Sequence, residues 1–355
     1  MMEKVQIEVT TDCNLRCDYC LKPKESIEIS KEIVEKVSGI AKRYIFYGFG
    51  EPLLCKNLKR LLELVDGELV TSTNGMVESD ALELFDLVGV SIDTAGFRKG
   101  FVLEKAIRLL EKLENSFAQF VLLEENLKDF ANLARSLAEK GIGVMATNAI
   151  APNSGVYERT LYFEGSIVNF ENVHLTEEEI METIRRSFYI DPGKKLVTKK
   201  ALNLQAIIEA KKRILRAKEV SEALNELRKP GITIPEFFGE SEKRICPYRD
   251  GIFVRADGKV SACMELAYEH EEFVNRRGKV VRAFILGDLM RQEINEILEK
   301  LREFERLRKD MDFPWCGDCA HVFGCWFLEN GMDCYGNPIS CSECLYSVSI
   351  AKCLV

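Results

Sequence analysis

Only three histidines occur in the 355-residue sequence, His174, His270 and His321, and only four glutamines, Gln6, Gln119, Gln205 and Gln292. Scattered histidines leave no His-Glu-x-x-His zinc helix, and neither a phosphate-binding P-loop nor a Gly-x-Gly-x-x-Gly dinucleotide fingerprint is present. No window approaches the roughly 18 consecutive apolar residues of a membrane span, so no membrane partner is expected. A concentrated basic tract is also missing. With 49 Lys plus Arg against 57 Asp plus Glu, a net charge of -8 and a pI near 5.3, nucleic acid is excluded as the main partner. The first residues, Met1-Met2-Glu3-Lys4-Val5-Gln6-Ile7-Glu8, lack the apolar core of a secretory signal, which predicts a cytoplasmic location. Fixed-period repeats and low-complexity tracts are absent. Scarce Gln beside plentiful Lys, Glu and Arg matches a thermophile-type composition.

What the sequence has in excess is cysteine, 13 in all. In a reducing compartment a chain of this size does not need disulfides, and metal ligation is the economical explanation. Cys13, Cys17 and Cys20 cluster near the start and Cys55 stands alone. Cys246, Cys263, Cys316, Cys319, Cys325, Cys334, Cys341, Cys344 and Cys353 fill the last third. Two metal-bearing regions follow. Cys55 reads as a small buried hydrophobe.

From residue 4 to about 155, short β-type runs alternate with helical patterns. Strands are predicted at 5–9, 44–47, 68–72, 88–92, 117–123 and 142–148. Between them, Leu58, Leu61, Leu62 and Val65 recur at helical spacing, as do Leu127, Phe130, Ala131, Ala134, Leu137 and Ala138. Six β/α units in series predict an α/β fold, a partial (β/α)6 barrel related to the TIM barrel, over residues 1–155, with sites at strand C-terminal ends. Residues 156–240 read as a helical bridge. A capping box at Thr176-Glu177-Glu178-Glu179 opens a helix with Ile180, Ile184 and Phe188 on one face, Asp191-Pro192-Gly193 breaks it, and 199–229 reads as one long helix or two. Residues 241–355 are loop-rich and Cys-dense around one helix marked by Ile294, Ile297, Leu298, Leu301 and Phe304.

After the first predicted strand comes Thr11-Asp12-Cys13-Asn14-Leu15-Arg16-Cys17-Asp18-Tyr19-Cys20, a C-x3-C-x2-C pattern. Three thiolates on one loop can hold three irons of a 4Fe-4S cluster and leave the fourth open; a zinc loop, which takes four ligands, is the alternative. The spacing and Tyr19 resemble the radical S-adenosylmethionine superfamily. That resemblance implies S-adenosylmethionine bound to the open iron and cleaved to a 5'-deoxyadenosyl radical. Further matches follow in order: Gly48-Phe49-Gly50-Glu51-Pro52 after the second strand, Thr71-Ser72-Thr73-Asn74-Gly75 at the third, Ser91-Ile92-Asp93 at the fourth. By the resemblance, Gly48, Gly50 and Glu51 lie at the methionine end, and Asn74, Ser91 and Asp93 help hold the rest. Phe49 stands where many relatives have a second Gly. Glu124 and Glu125 read as a solvated loop.

In the last third, Asp257-Gly258 between β-type runs is a hairpin signal that folds Cys246 and Cys263 together, and Cys316, Cys319 and Cys325 follow as C-x2-C-x5-C. This layout resembles the SPASM extension, which implies two auxiliary 4Fe-4S clusters and hence three clusters in all. By order of occurrence, the resemblance assigns Cys246, Cys263 and Cys334 to the first. It assigns Cys316, Cys319 and Cys325 to the second with Cys353 as final ligand, and Cys341 or Cys344 completes the first, the other staying free or exchanging roles with Cys353. Relatives that oxidise protein side chains carry an acid directly after the second hairpin Cys; here Met264 holds that place and Glu265 comes next, which disfavours that reaction. His321 reads as a surface or supporting residue. Asp318, Asp333 and Glu343 are proton-acceptor candidates, with loop solvation as the alternative.

The tail, Cys325-Trp326-Phe327-Leu328-Glu329-Asn330-Gly331 with Asp333-Cys334-Tyr335-Gly336-Asn337 and Ser340-Cys341-Ser342-Glu343-Cys344, resembles the maturase family encoded with tungsten-dependent aldehyde oxidoreductases. The resemblance implies modification of a tungsten/pterin-type cofactor, with a tungsten-dependent oxidoreductase or its cofactor as partner and a ferredoxin-like electron donor. A peptide maturase and a non-catalytic iron-sulfur scaffold or electron carrier are the competing readings.

Overall fold

A computed structural model describes residues 1–166, 178 and 197–354, apart from 22, 24, 312, 320, 323–324 and 337–339. The capping box at 176–179 (Glu178 apart), the face of Ile180, Ile184 and Phe188, and the break at 191–193 lie outside the described residues.

The first half carries β1 (Met2–Ile7), β2 (Arg16–Cys17), β3 (Ala41–Phe46), β4 (Glu68–Thr73), β5 (Leu87–Ile92), β6 (Arg98–Lys99), β7 (Ser116–Leu122) and β8 (Gly143–Asn148). The six predicted strands are β1, β3, β4, β5, β7 and β8, parallel neighbours in that order. Parallel neighbours need crossovers, and helices Lys31–Val37, Leu58–Leu62, Leu103–Lys112 and Leu127–Glu139 supply four of the five. Each helix turns one apolar stripe to the sheet: Ile33, Val34 and Val37, then Leu58, Leu61 and Leu62, then Ala106 and Leu110, then Phe130, Ala134 and Leu137. They share one core with Val5, Ile7, Tyr44, Phe46, Val88, Val90, Ala118 and Phe120. Phe120 and Phe130 meet edge to face at 5.1 Å, a geometry that adds about 0.5–1.5 kcal/mol to their burial.

The second half adds β9 (Ile232–Thr233), β10 (Gly251–Val254), β11 (Lys259–Ser261), β12 (His270–Val274), β13 (Arg277–Val281) and β14 (Ile285–Asp288). The stretch read as one or two helices contains a single helix, Val197–Asn225, which buries Ala210, Ile214, Ala217, Val220 and Leu224 and leads through Leu227 to β9 beside β8. The Asp257-Gly258 hairpin forms as β10 and β11, and Gly258 adopts φ +85°, a conformation that favours glycine.

The hairpin lies in the barrel sheet: β10 runs parallel to β1, with Lys4 opposite Gly251 and Ile7 opposite Val254. One ten-stranded sheet results, in the order β14-β11-β10-β1-β3-β4-β5-β7-β8-β9. Its end strands β14 and β9 are not paired to each other, so the barrel is partial and open. Helix Ile294–Asp310 lays Ile297, Leu301 and Phe304 in the same core. Among the described residues no helix is long and apolar enough to cross a membrane.

Candidate active site

The cysteine loop is fastened at its base and at its middle. Thr10 and Thr11 are buried at the end of β1; Thr11 Oγ1 donates to the Glu25 carbonyl (2.6 Å) and accepts from Ile27 N (2.8 Å), while Thr10 Oγ1 donates to the Ile27 carbonyl (3.1 Å). At mid-loop, β2 pairs antiparallel with β6, setting Cys17 against Arg98. Burial pushes the Cys17 thiol up to about 11; Arg98 opposes the shift, and Cys20 and Cys13 add to it. Arg98 lies 5.7 Å over the Tyr19 ring, and Tyr19 packs on Phe97. The sequence reading passed over Arg98, whose one signal was a basic pair, Arg98-Lys99, just after the fourth predicted strand.

Opposite the loop, Gly48-Phe49-Gly50-Glu51 closes against it. A side chain on Gly50 would meet the Thr10 carbonyl oxygen at 2.2 Å and the Asp12 carbonyl oxygen at 2.7 Å, and Glu51 N donates to that Asp12 oxygen (2.7 Å). Gly50 thus permits close approach to the cysteine loop itself. Gly48 has the Glu8 side chain at the corresponding place, and Phe49 stacks edge-on to Tyr268 at 5.6 Å. Glu51 is 2 % exposed and its carboxylate accepts from Thr73 Oγ1 (2.8 Å), Asn74 N (2.7 Å) and Leu53 N (3.3 Å). Burial raises its pKa against those donors, so it is a spent acceptor that ties β4 to the glycine turn. Asn74 Nδ2 reaches Asn14 Oδ1 (2.8 Å) and Cys13 Sγ (3.8 Å).

Cys13, Cys17, Cys20, Gly48, Gly50, Glu51, Asn74 and Ser91 line one cavity of about 290 Å³ at the C-terminal ends of the parallel strands. Asp93 lies outside its wall; its carboxylate accepts from Ala95 N (3.1 Å) and Arg98 N (2.6 Å) and holds the turn that presents Arg98. Residues the sequence reading did not assign complete the cavity, Arg98, Gln119, Thr147 and Asn148 from the barrel and Met264, Glu265, Tyr346 and Lys352 from the C-terminal third, together with Cys353, which the resemblance assigned to a cluster.

Three thiols on one loop and nine in the C-terminal third are soft donors of the kind that hold iron-sulfur clusters. Among the described residues one group of three ligating side chains has its atoms within 4.8 Å of one another, Glu265, His270 and Glu272.

In the C-terminal third the neighbourhoods regroup the cysteines. Burial raises Cys263, and the nearby thiols Cys341, Cys246 and Cys344 raise it further against Arg308. Burial brings Cys344 up to about 12, and Cys246 adds to the rise. Cys316 is pushed up to about 12 by burial and Glu343, and the thiols that act on it are Cys319 and Cys334. Cys325 packs against Cys316 in a small apolar cluster with Val322 and Leu328. Order of occurrence joins Cys334 to Cys246 and Cys263 and sends Cys353 to Cys316; in the structure Cys334 acts electrostatically on Cys316, and Cys353 stands on the cavity wall. The short turns at Cys316–Asp318 and Ser340–Glu343 lie together, so spacing along the chain did not reveal which thiols converge.

Two arginines brace this region. Arg308, 2 % exposed, donates to the carbonyls of Tyr248, Gly251 (3.1 Å) and Ala262 (2.6 Å). Arg244 donates to the carbonyls of Cys341 (2.6 Å) and Phe313 (2.5 Å). Glu343 is buried against Lys279 (3.1 Å), Arg277 (3.2 Å) and Asn275 (2.6 Å), which makes it a fixed ion-pair partner. Asp318 accepts from Ser166 N and Asp333 from Tyr335 N, both backbone-holding roles. His321 and Cys55 sit as expected, exposed and buried. Glu124 and Glu125, read as a solvated loop, are exposed and paired with Arg216 and Arg159.

Glu265 carries a proton-sharing pair out of the cavity wall. Its Oε1 lies 3.1 Å from His270 Nε2, and His270 Nδ1 lies 3.0 Å from the Tyr268 carbonyl. Burial and then Glu272 raise Glu265 to about 7, while burial opposes charge on His270 but Glu265 and Glu272 outweigh it and raise the imidazole to about 10. A histidine raised on folding stabilises the fold below its unfolded pKa of about 6.5, and that stability is lost as pH climbs toward 10. His270→Gln is therefore expected to flatten the fall in stability between pH 7 and 9.5. Denaturant midpoints of both proteins at the two pH values check this; parallel falls would show that His270 is not charged in the fold.

Residues 246–321 match the SPASM model, described as an iron-sulfur cluster-binding domain. Over 99% of its length the chain is 24% identical to the tungsten-containing aldehyde ferredoxin oxidoreductase cofactor-modifying protein of Pyrococcus furiosus, covering 97% of that protein. A GTP 3',8-cyclase of Staphylococcus epidermidis is 28% identical over 53% of this chain and 63% of its own. The fold resembles Streptococcus suis SuiB bound to S-adenosylmethionine, with a TM-score of 0.53 at 11% identity over 90% of this chain and 71% of that one. With the thiol-bearing loop at the mouth of an open parallel barrel, and a region matching the SPASM iron-sulfur cluster-binding domain joined to its first strand, the chain resembles radical S-adenosylmethionine enzymes in fold.

Proposed function

We propose that the protein uses a cluster at Cys13, Cys17 and Cys20 to cleave S-adenosylmethionine reductively and so modifies the cofactor, or a cofactor precursor, of a tungsten-dependent oxidoreductase. The observation that carries the reading is the single cavity walled on one side by the three thiols, Gly48, Gly50, Asn74 and Ser91, and on the other by Met264, Glu265, Tyr346 and Lys352. The full-length similarity to the Pyrococcus furiosus cofactor-modifying protein supports the substrate class. When bound, the cluster and S-adenosylmethionine supply one-electron chemistry that yields methionine and a 5'-deoxyadenosyl radical.

The chain's own residues do the rest. Asn74 steadies Cys13 and Asn14, Arg98 brings positive charge beside Cys17, and Glu51 locks the glycine turn onto the loop. Glu265, held near neutrality, can take or return a proton at Oε1 through His270. Two further 4Fe-4S clusters at Cys246, Cys263, Cys341 and Cys344 and at Cys316, Cys319, Cys325 and Cys334 would pass electrons to or from the cavity, fed by a ferredoxin-like donor in the cytoplasm.

Anaerobically reconstituted protein, reduced with dithionite in the presence of S-adenosylmethionine, is expected to release methionine and 5'-deoxyadenosine in equal amounts, read by liquid chromatography. Verified iron and sulfide with neither product would leave the scaffold reading standing. A short precursor peptide encoded beside this chain, in place of an aldehyde oxidoreductase, would turn the substrate assignment to a peptide maturase.

A further inference from the structure

Cys353 is the ninth thiol of the C-terminal third and stands outside both groups of four. Its sulfur is 2.7 Å from the Tyr47 hydroxyl, on the same cavity wall as Asn148 and Glu265. Behind it runs a line of polar groups. Gln6, fully buried in β1, donates from Nε2 to the Tyr47 carbonyl (2.8 Å), and the Tyr248 hydroxyl donates to Gln6 Oε1. Tyr248 in turn packs among Cys246 and Cys263. Tyr346 lines the same cavity as Cys353.

A second observation points to a ligand at the same wall. Asn148 is 2 % exposed; its Nδ2 donates to the carbonyls of Glu236 (3.0 Å) and Ile350 (3.0 Å), and its Oδ1 has no hydrogen-bond partner among the described residues. A buried amide oxygen left so carries a desolvation cost that a ligand N–H would recover.

We propose that Cys353 is a hydrogen-atom donor facing the cavity, and that its bound substrate presents an N–H group to Asn148. The inference rests on the radical chemistry proposed above. In the step, the Cys353 S–H bond breaks homolytically, a C–H bond forms on a carbon-centred radical in the cavity, and the sulfur is left one electron short. One electron from the iron-sulfur group proposed at Cys246, Cys263, Cys341 and Cys344, passing Tyr248 and Tyr47, together with one solvent proton delivered at the Tyr47 hydroxyl, restores the thiol. The sum is radical plus electron plus proton to C–H, so the substrate leaves rearranged without net oxidation.

Without any other substrate, the adenosyl radical is itself the carbon radical in this cavity, which gives a test with S-adenosylmethionine alone. Cluster-loaded protein in deuterium oxide, reduced with dithionite, is expected to yield 5'-deoxyadenosine carrying one solvent deuterium, read by mass spectrometry. In Cys353→Ala and Cys353→Ser the deuterium falls to background. Two readouts do not depend on turnover: both variants keep the wild-type iron content, and iodoacetamide alkylates Cys353 in the loaded wild type. Equal deuterium in wild type and variants, loss of about four irons in either variant, or a Cys353 that resists alkylation would overturn the proposal. A wild type that forms no 5'-deoxyadenosine at all overturns both this and the radical reading, whereas cleavage with unchanged deuterium overturns this one alone.

Discussion

The triple variant Cys13→Ala, Cys17→Ala, Cys20→Ala is expected to lose S-adenosylmethionine cleavage by at least about 10³-fold, the scale of removing an essential reacting group. Iron should fall by about four of about twelve per chain, since the proposed ligation gives three thiolates on this loop to one cluster and eight others to two more. The fold should survive. Cys13 and Cys17 are half-buried and Cys20 is exposed, whereas the loop's fastenings are the Thr10 and Thr11 hydroxyls, buried Leu15 and the β2–β6 pair, none of which the variant touches. Truncating partly exposed thiols costs little beside core truncations of about 2–5 kcal/mol. Iron analysis, the cleavage assay and a thermal melt on the same preparation decide the matter. Residual cleavage near the wild-type level would sink the assignment of this loop, and loss of all iron would mean that the C-terminal clusters cannot assemble without it.

The second large effect is a pattern of non-additivity. If Cys316 and Cys334 serve one cluster and Cys263 and Cys341 the other, then Cys316→Ala with Cys334→Ala should lose about four irons, no more than either alone in the limit where each abolishes its cluster. Cys263→Ala with Cys334→Ala should instead lose about eight. Pairing by chain order would give the reverse, with Cys263 and Cys334 together losing about four. The physical basis is that Cys263 feels Cys341, Cys246 and Cys344, while Cys316 feels Cys319 and Cys334. Iron per chain in the two double variants is the measurement, with sulfide as the control for adventitious iron.

Local patterns carried the barrel. Runs such as Val88 to Ile92 and helical repeats such as Leu127, Phe130, Ala134 and Leu137 are decided by neighbours a few residues away, and each forms within a residue or two of its expected place. Gly258 announced its turn because its positive φ suits glycine. The cysteine loop and its companions gather at one cavity from strand ends: Gly48, Gly50 and Asn74 follow β3 and β4, and Ser91 is the next-to-last residue of β5. What was hidden depends on contacts between distant segments. The place of Cys353 at Tyr47 and the bracing by Arg244 and Arg308 rest on hydrogen bonds that span 46 to 306 positions, beyond the reach of any periodicity. Glu265 was discounted for being one place late after Cys263, yet the chain turns there so that Met264 and Glu265 both reach the cavity wall.

The pairing of β10 with β1 also governs how the chain must be made. One edge of β1 meets β3, forty residues on, but the other waits for Gly251–Val254, so during synthesis the first strand leaves the ribosome with an open flank until most of the chain has followed. Such a long-range closure slows folding and favours late assembly. Iron delivery to the N-terminal thiols before that closure would meet a loop whose base strand is still half-paired. A protein shortened before residue 250 would keep all three thiols and still expose that flank, making it prone to aggregate, so the working unit for expression is the whole chain.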